Sequence, residues 1–362
     1  MKTPIRPFRG AVVGLGVIGR SHLRAYADQR NLQVVGLVDP LGPRDATAAG
    51  SALADLPCFS TLESLLASTA VDFVDICSPP NTHADYICQG LSGGLHVIAE
   101  KPLVRSSHEI ARIRDELAGG DRLLFPAHNY RHAPGILEMR RIVTSGALGD
   151  VQRVQFRTSR TGSAKGVPDW QPDWRRDVAI SGGGILRDHG PHSLYVLRFV
   201  TGLALQQVSC QVSPAQVAGL GGNPVEERAS LSVRCARGVN AVIELTWTGT
   251  HRATSYEVTC ERGSVSLVDD DLIVTQGGAS QVRSVRSDFN DASHWRWISG
   301  MLREFAETVS SDDPDSWAAL GERALQEAED VDAAYRSAAR AGAWTDITQA
   351  ALAPAREMAV RK

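Results

Sequence analysis

Short apolar runs alternate with segments of helical periodicity through the first third of the chain. The runs are Gly10–Val13, Val34–Val38, Phe73–Cys77, Leu95–Ala99 and Leu123–Phe125. Between them Arg20–Asp28, Leu62–Ser68, His83–Leu91 and Ser107–Leu117 read as helices. Strands that are apolar almost throughout, each followed by a helix, predict a parallel sheet covered on both faces. Right-handed crossovers then make that sheet doubly wound.

After Ala127 the pattern changes. Pro134–Thr144 reads as a helix ending near Gly146, and Val151–Thr158 alternates with Val154 and Phe156 on one face. A helix is expected after Gly184. Farther on, Ala229, Leu231, Val233 and Cys235 alternate with polar residues. Ala236-Arg237-Gly238 reads as a hairpin turn, and Ala241, Ile243, Leu245 and Trp247 alternate beyond it. Such alternation predicts an antiparallel sheet with one buried face. Two amphipathic helices follow, striped by Ile298, Leu302, Phe305 and Val309 and by Leu325, Ala328, Val331 and Tyr335. From about Pro354 the chain reads as frayed.

At 362 residues the chain is longer than one core usually organises, so two domains are expected. A net charge of −3 gives no electrostatic reason to expect nucleic acid or an anionic membrane as a partner. The six cysteines are scattered without a C-x-x-C pair, which favours buried thiols over disulfides or a thiolate metal site. Met1–Gly10 lacks a secretory pattern, and no apolar run is long enough to span a bilayer, so a cytoplasmic protein is expected.

Gly14-Leu15-Gly16-Val17-Ile18-Gly19 lies between a predicted strand and helix. Gly14 suits a tight turn, Gly16 a close approach of backbone to pyrophosphate, and Gly19 close packing of helix on strand. The helix N-terminus offers N–H groups and a positive dipole to phosphates. Asp39, 20 residues beyond Gly19, falls where a carboxylate accepts from the adenosine ribose hydroxyls. It repels a 2′-phosphate, which makes NAD the expected cofactor over NADP.

Three later segments carry candidate chemistry. In Cys77-Ser78-Pro79-Pro80-Asn81-Thr82-His83 the prolines fix a loop, and His83 reads as a helix-start residue near the cofactor. In Glu100-Lys101-Pro102 the proline holds Lys101 extended at the carboxyl end of a strand, the ligand side of an open α/β sheet. In Gly182–His192 the position of Pro191 suggests a helix starting near Asp188, with Asp188 and His192 on one face. An amine, an imidazole and a carboxylate are what alcohol oxidation needs, as base and as cation for a developing alkoxide. Trp170, Trp174, Arg175 and Arg176 precede the glycine run and could seat a sugar face, its hydroxyls or a carboxylate. These segments give a hydrolase triad no support.

These motifs, together and in this order, resemble the glucose-fructose oxidoreductase/inositol dehydrogenase/rhizopine-catabolism family, Gfo/Idh/MocA. Asn129-Tyr130-Arg131 with Pro134 and Gly146–Gly149 resembles that family's passage into its second domain. The resemblance implies an α/β protein: a Rossmann dinucleotide-binding domain over 1–127, and over 128–362 an α/β domain whose large, mostly antiparallel open sheet joins dimers or tetramers. It implies NAD(P) and a small polyhydroxylated substrate, and no metal is expected. By the same resemblance Lys101 orients the substrate as a cation and His192 is the acid/base. Asp188 is then its partner or an acceptor for a substrate hydroxyl. Gly14, Gly16, Val17, Ile18, Gly19, Asp39, Ser78, Pro79, Asn81, His83, Glu100, Lys101 and Asn129 become cofactor-binding candidates. Tyr130, Trp174 and Arg175 join Lys101, Asp188 and His192 as substrate-binding candidates. The sequence leaves open two other uses of such a site: glycoside cleavage with NAD recycled internally, and non-catalytic NAD sensing.

Overall fold

The computed structural model describes residues 6–42, 55–214, 225–286, 289 and 294–347; the expected fraying from Pro354 lies outside them. The first sheet has six parallel strands: β1 (Phe8–Val13), β2 (Leu32–Val38), β3 (Cys58–Phe59), β4 (Phe73–Ile76), β5 (His96–Ala99) and β6 (Leu124–Pro126). Their order is β3-β2-β1-β4-β5-β6, so the direction of winding reverses between β1 and β4, where a doubly wound sheet opens a ligand crevice. β4 and β5 are buried at every position, which is why they carry no alternation. Helices α1 (Val17–Tyr26), α2 (Leu62–Ser68), α3 (His83–Ser92) and α4 (Ser107–Ala118) belong to this half.

The second half begins with α5 (Pro134–Thr144), β7 (Val151–Ser159), a one-turn α6 (Val178–Ser181) and α7 (Ile185–Thr201). It continues through β8 (Leu205–Pro214), β9 (Glu226–Cys235), β10 (Asn240–Thr246), β11 (Ala253–Cys260), β12 (Gly263–Val268), β13 (Asp271–Gln276) and β14 (Ala279–Ser284). With β15 (Thr345–Asp346) they form a nine-stranded sheet, β14-β13-β12-β11-β7-β10-β9-β8-β15. Every pairing is antiparallel except β7 with β10. Val154, Phe156, Leu231, Val233, Ile243 and Val258 form part of the buried face. Arg153, Arg157, Ser230, Ser232 and Glu244, at alternate positions, are exposed.

The last helices, α8 (Trp295–Ser310) and α9 (Pro314–Ala338), return to the first half. α8 packs on α1, and α9 packs on α4 and β6. Ile298, Leu302, Phe305 and Val309 are buried with Phe73 and Phe125 of the parallel sheet. At about 1.5–3 kcal/mol per buried large apolar side chain, this stripe ties the end of the chain to the dinucleotide half.

Two helix starts differ from the sequence reading. α1 begins at Val17, not Arg20, with the Arg20 N–H bonded to Gly16 O. α7 begins at Ile185, as the helix expected after Gly184 does, and not near Asp188 as Pro191 suggests, so Pro191 lies inside the helix and not in its first turn. The buried Glu226 carboxylate fixes that start, accepting from the N–H of Gly184 at 2.8 Å and of Leu186 at 3.0 Å. A Cβ on Gly184 would stand 1.9 Å from the Glu226 carbonyl oxygen, so the approach requires glycine. The bond lost at Pro191 is offset by burial of most of the helix.

Candidate active site

The Gly14–Gly19 turn joins β1 to α1. Gly14 has φ +92°, and a Cβ there would meet the Ser78 backbone nitrogen at 2.6 Å. A Cβ on Gly19 would lie 1.9 Å from Gly14 O, so glycine brings helix and strand together. At Gly16 the same position faces open space, and Gly16 caps α1 without a side-chain hydrogen bond. The first-turn N–H groups are therefore available to a ligand. Asp39, just past β2, accepts from Leu15 N–H and Leu41 N–H, both at 2.9 Å, which fixes its carboxylate beside the turn. An open helix N-terminus next to a fixed carboxylate fits the phosphates and a ribose of a dinucleotide.

From this turn a cavity of about 700 Å³ runs into the second half of the chain. Gly14, Gly16, Val17, Ile18 and Asp39 line it, as do Ser78, Pro79, Asn81 and Glu100. Lys101, Asn129, Tyr130, Trp174, Arg175, Asp188 and His192 line it too. Gly19 and His83 do not. His83 is buried under the loops, with Nδ1 2.9 Å from Pro102 O and Nε2 2.8 Å from Ser78 O. It braces the two cofactor-side loops and does not face the cavity.

Lys101, in a cis bond to Pro102, reaches Asp188 across the boundary between the halves. Its Nζ donates to Asp188 Oδ1 at 2.7 Å and to Asp188 O at 2.9 Å. Burial works against the Asp188 charge, but Lys101, His189 and Arg175 hold the carboxyl well below its usual range. Asp188 thus pairs with Lys101 and not with His192, which was one of the two roles expected of it. His192 turns to Tyr195, with Nδ1 2.7 Å from its hydroxyl oxygen, which also accepts from Tyr130 N–H at 3.3 Å. The Tyr130 ring stacks on the imidazole at a centroid distance of 4.0 Å. Burial and the Lys101 charge push His192 well below the usual imidazole range, so it is neutral near pH 7. Among the described residues its Nε2 has no hydrogen-bond partner.

Beneath Lys101 lies a network absent from the sequence reading. His22 of α1 is fully buried, with Nδ1 2.8 Å from Asp75 Oδ2 and Nε2 3.1 Å from Glu100 Oε1. Facing two carboxylates, both ring nitrogens act as donors, which makes the ring an imidazolium. Burial is the largest influence and opposes that charge, but Asp75 and Cys77 together outweigh it and the pKa stands well above the usual value. Tyr26 also donates to Asp75, and Glu100 Oε2 accepts the Lys101 N–H at 3.0 Å. The glycine-loop helix, β4 and the Lys101 loop are thereby locked together. His22, Asp75 and Cys77 lie close enough to suggest metal ligands, but these hydrogen bonds already occupy His22 and Asp75.

Residues 8–128 match the oxidoreductase family model with an NAD-binding Rossmann fold, and residues 136–266 match the GFO/IDH/MocA C-terminal domain model. The chain belongs to the Gfo/Idh/MocA family. It is an NAD-binding oxidoreductase. Inositol 2-dehydrogenase of Gluconacetobacter diazotrophicus is 26% identical over 85% of this chain and 88% of its own length. Levoglucosan dehydrogenase of Pseudarthrobacter phenanthrenivorans is 26% identical over 53% of this chain and 50% of its own. An inositol dehydrogenase homologue from Azotobacter vinelandii, solved with NAD+, superposes with a TM-score of 0.77 at 21% identity, covering 94% of this chain and 98% of that one. That likeness is one of fold.

Within this family fold, the sequence reading also passed over Arg160 and Arg252, which line the cavity with Lys101 and Asp188. Their position had no motif to mark it: Arg160 follows β7, and Arg252 precedes β11.

Proposed function

We propose that the protein oxidises a secondary hydroxyl of a sugar, inositol or aminocyclitol-like polyol to a ketone, reversibly, with NAD. The observation that carries this reading is the meeting of Lys101, Asp188 and His192 in the cavity that begins at the glycine turn. Bound NAD supplies the hydride acceptor. Gly14, Gly16, Val17 and Ile18 hold its pyrophosphate end, and Asp39 holds the adenosine ribose and disfavours a 2′-phosphate. Ser78, Pro79, Asn81, Glu100 and Asn129 complete the cofactor wall.

Lys101 has three N–H donors and gives two to Asp188, which leaves the third for the substrate oxygen. His192, neutral, takes the hydroxyl proton at Nε2 when Nδ1 donates to Tyr195. Asp188 holds Lys101 in place and accepts from a neighbouring hydroxyl, while Tyr130, Trp174 and Arg175 shape the substrate end. The names of the relatives, inositol 2-dehydrogenase and levoglucosan dehydrogenase, support a polyol.

In this reading residues 1–127 bind the cofactor and 128–362 bind the substrate and carry the assembly surface. The uncovered polar face of the nine-stranded sheet supports a homodimer or homotetramer. No helix among the described residues is long and apolar enough to cross a membrane. All six cysteines are free thiols, which supports a cytoplasmic location. The test is a panel of inositols, aldoses, polyols and amino sugars with NAD, and NADP in parallel. NADH formation on one ring-alcohol class is expected, and no turnover by NAD-loaded protein on any of them would overturn the reading.

A further inference from the structure

The substrate end of the cavity carries more positive charge than its acids neutralise. Of the carboxylates on the lining, Asp39 stands at the glycine turn, Glu100 is bound to His22, and Asp188 is bound to Lys101. Arg175 stacks on Trp174 and lies 3.7 Å from Asp188, so one carboxylate already serves two cations. Lys165 pairs with Asp173, outside the lining, and Arg160 and Arg252 remain.

Arg160 is only 4% exposed. Its Nη1 donates to Ser159 O at 2.8 Å, Ala253 O at 2.9 Å and Thr254 Oγ1 at 3.2 Å, and Nη2 donates to Thr254 Oγ1 at 3.2 Å. Its Nε is buried without a partner. Arg252 is exposed and donates from Nε and Nη2 to Phe289 O at 3.2 and 3.0 Å. Every one of these acceptors is neutral, and among the described residues neither guanidinium makes an ion pair, although Asp269 acts weakly on Arg252 from farther away. The two are close enough that Arg160, after burial, depresses Arg252. Both also act, with Lys101, on His189 of the same cavity, whose pKa burial and these charges bring down to about 3. For Arg160, a buried charge held by neutral groups alone is costly, and a partner that arrives with the ligand removes that cost.

We infer that the substrate is an anionic polyol, whose carboxylate or phosphate binds between Arg160 and Arg252 while the reacting hydroxyl lies at Lys101 and His192. The inference rests on the hydride-transfer reading above and narrows its substrate class. A guanidinium pair suits an oxyanion because its N–H groups match two oxygens in a plane. The pyrophosphate of NAD has its own place at the Gly14–Gly19 turn, on the parallel sheet, whereas Arg160 and Arg252 flank strands of the second sheet.

The test compares matched substrates on the NAD-loaded protein: aldonic and uronic acids, the corresponding neutral alditols and aldoses, and the corresponding sugar phosphates. The acids or the phosphates are expected to exceed their neutral counterparts in kcat/KM by at least roughly tenfold, and which of the two does so identifies the oxyanion. In Arg252→Met the anionic-to-neutral ratio of kcat/KM should fall roughly 10- to 100-fold, chiefly through KM. Arg160→Gln should act the same way if it folds, and Arg252→Met is sufficient if it does not. Neutral polyols used as well as the anionic ones would overturn the inference and leave the dehydrogenase reading standing. So would an Arg252→Met variant that weakens NAD binding while keeping the ratio. Failure of every polyol, charged or neutral, would overturn both.

Discussion

Lys101 Nζ lies 2.7 Å from the Asp188 carboxylate and 2.9 Å from the carbonyl of the same residue, although 87 residues separate them in the chain. The contact joins the strand end of the parallel sheet to the helix that carries His192, across the cavity both halves line. The ammonium and carboxylate therefore act as one unit. Lys101→Met should lower kcat roughly 100- to 10,000-fold while NAD still binds. Asp188→Asn should lower it too, and the double variant should fall well short of the product of the two losses. Full additivity in steady-state kinetics would show two independent residues.

The pH dependence of kcat/KM tests His192. Burial and Lys101 depress its pKa below the ordinary imidazole value of 6.5, so the base stays neutral to lower pH. The acid limb for alcohol oxidation is expected below 6.5. Lys101→Met removes one depressing charge, and the residual activity of that variant should show its acid limb at higher pH. A shift to lower pH would contradict the assignment.

His22 is a matter of stability and alignment. Replacing it with Phe leaves Asp75 and Glu100 buried without their shared cation, a change that costs about 3–5 kcal/mol in comparable buried pairs. Denaturant unfolding of His22→Phe should show a loss of that order. A variant as stable as the parent would mean that the carboxylates are neutralised in another way.

Much of the site was legible because its motifs are local. The glycine turn, Asp39 and the Glu100-Lys101-Pro102 loop need only a strand and its following residues, and the structure puts Lys101, Asp188 and His192 at one cavity. The readings that missed depended on distant partners. Spacing put Asp188 and His192 on one helix face, but it cannot show a lysine from the other half pairing with Asp188. The start of α7 depends on Glu226, about 40 residues downstream. His22 looked like any helix residue, since its partners lie 53 and 78 residues away. The β11–β14 meander was also passed over. Its outer strand β14 is exposed at every position, so burial imposes no apolar period there.

Glu327 of α9 is partly buried, and its carboxyl is pushed up from 4.5 to about 7 by burial, against the pull of Arg198 and Arg131. Because the folded value exceeds the unfolded one, folding favours the protonated form. The stability this gives is full below the unfolded value and is lost as pH rises through about 7. Glu327→Gln should therefore gain on the parent between pH 5 and 8, by an amount on the order of 2–3 kcal/mol. A parent-minus-variant difference that does not change with pH would show that Glu327 ionises freely in the fold.

The most direct measurement uses a polyol substrate deuterated at the carbinol carbon, mixed with NAD and the purified protein. Both NADH accumulation and the position of the deuterium are followed. Net NADH with deuterium on the nicotinamide ring, greatly slowed in Lys101→Met, is the expected result. Bound NAD with no net reduction and no deuterium on the nicotinamide would contradict hydride transfer to the cofactor as the reaction of this site.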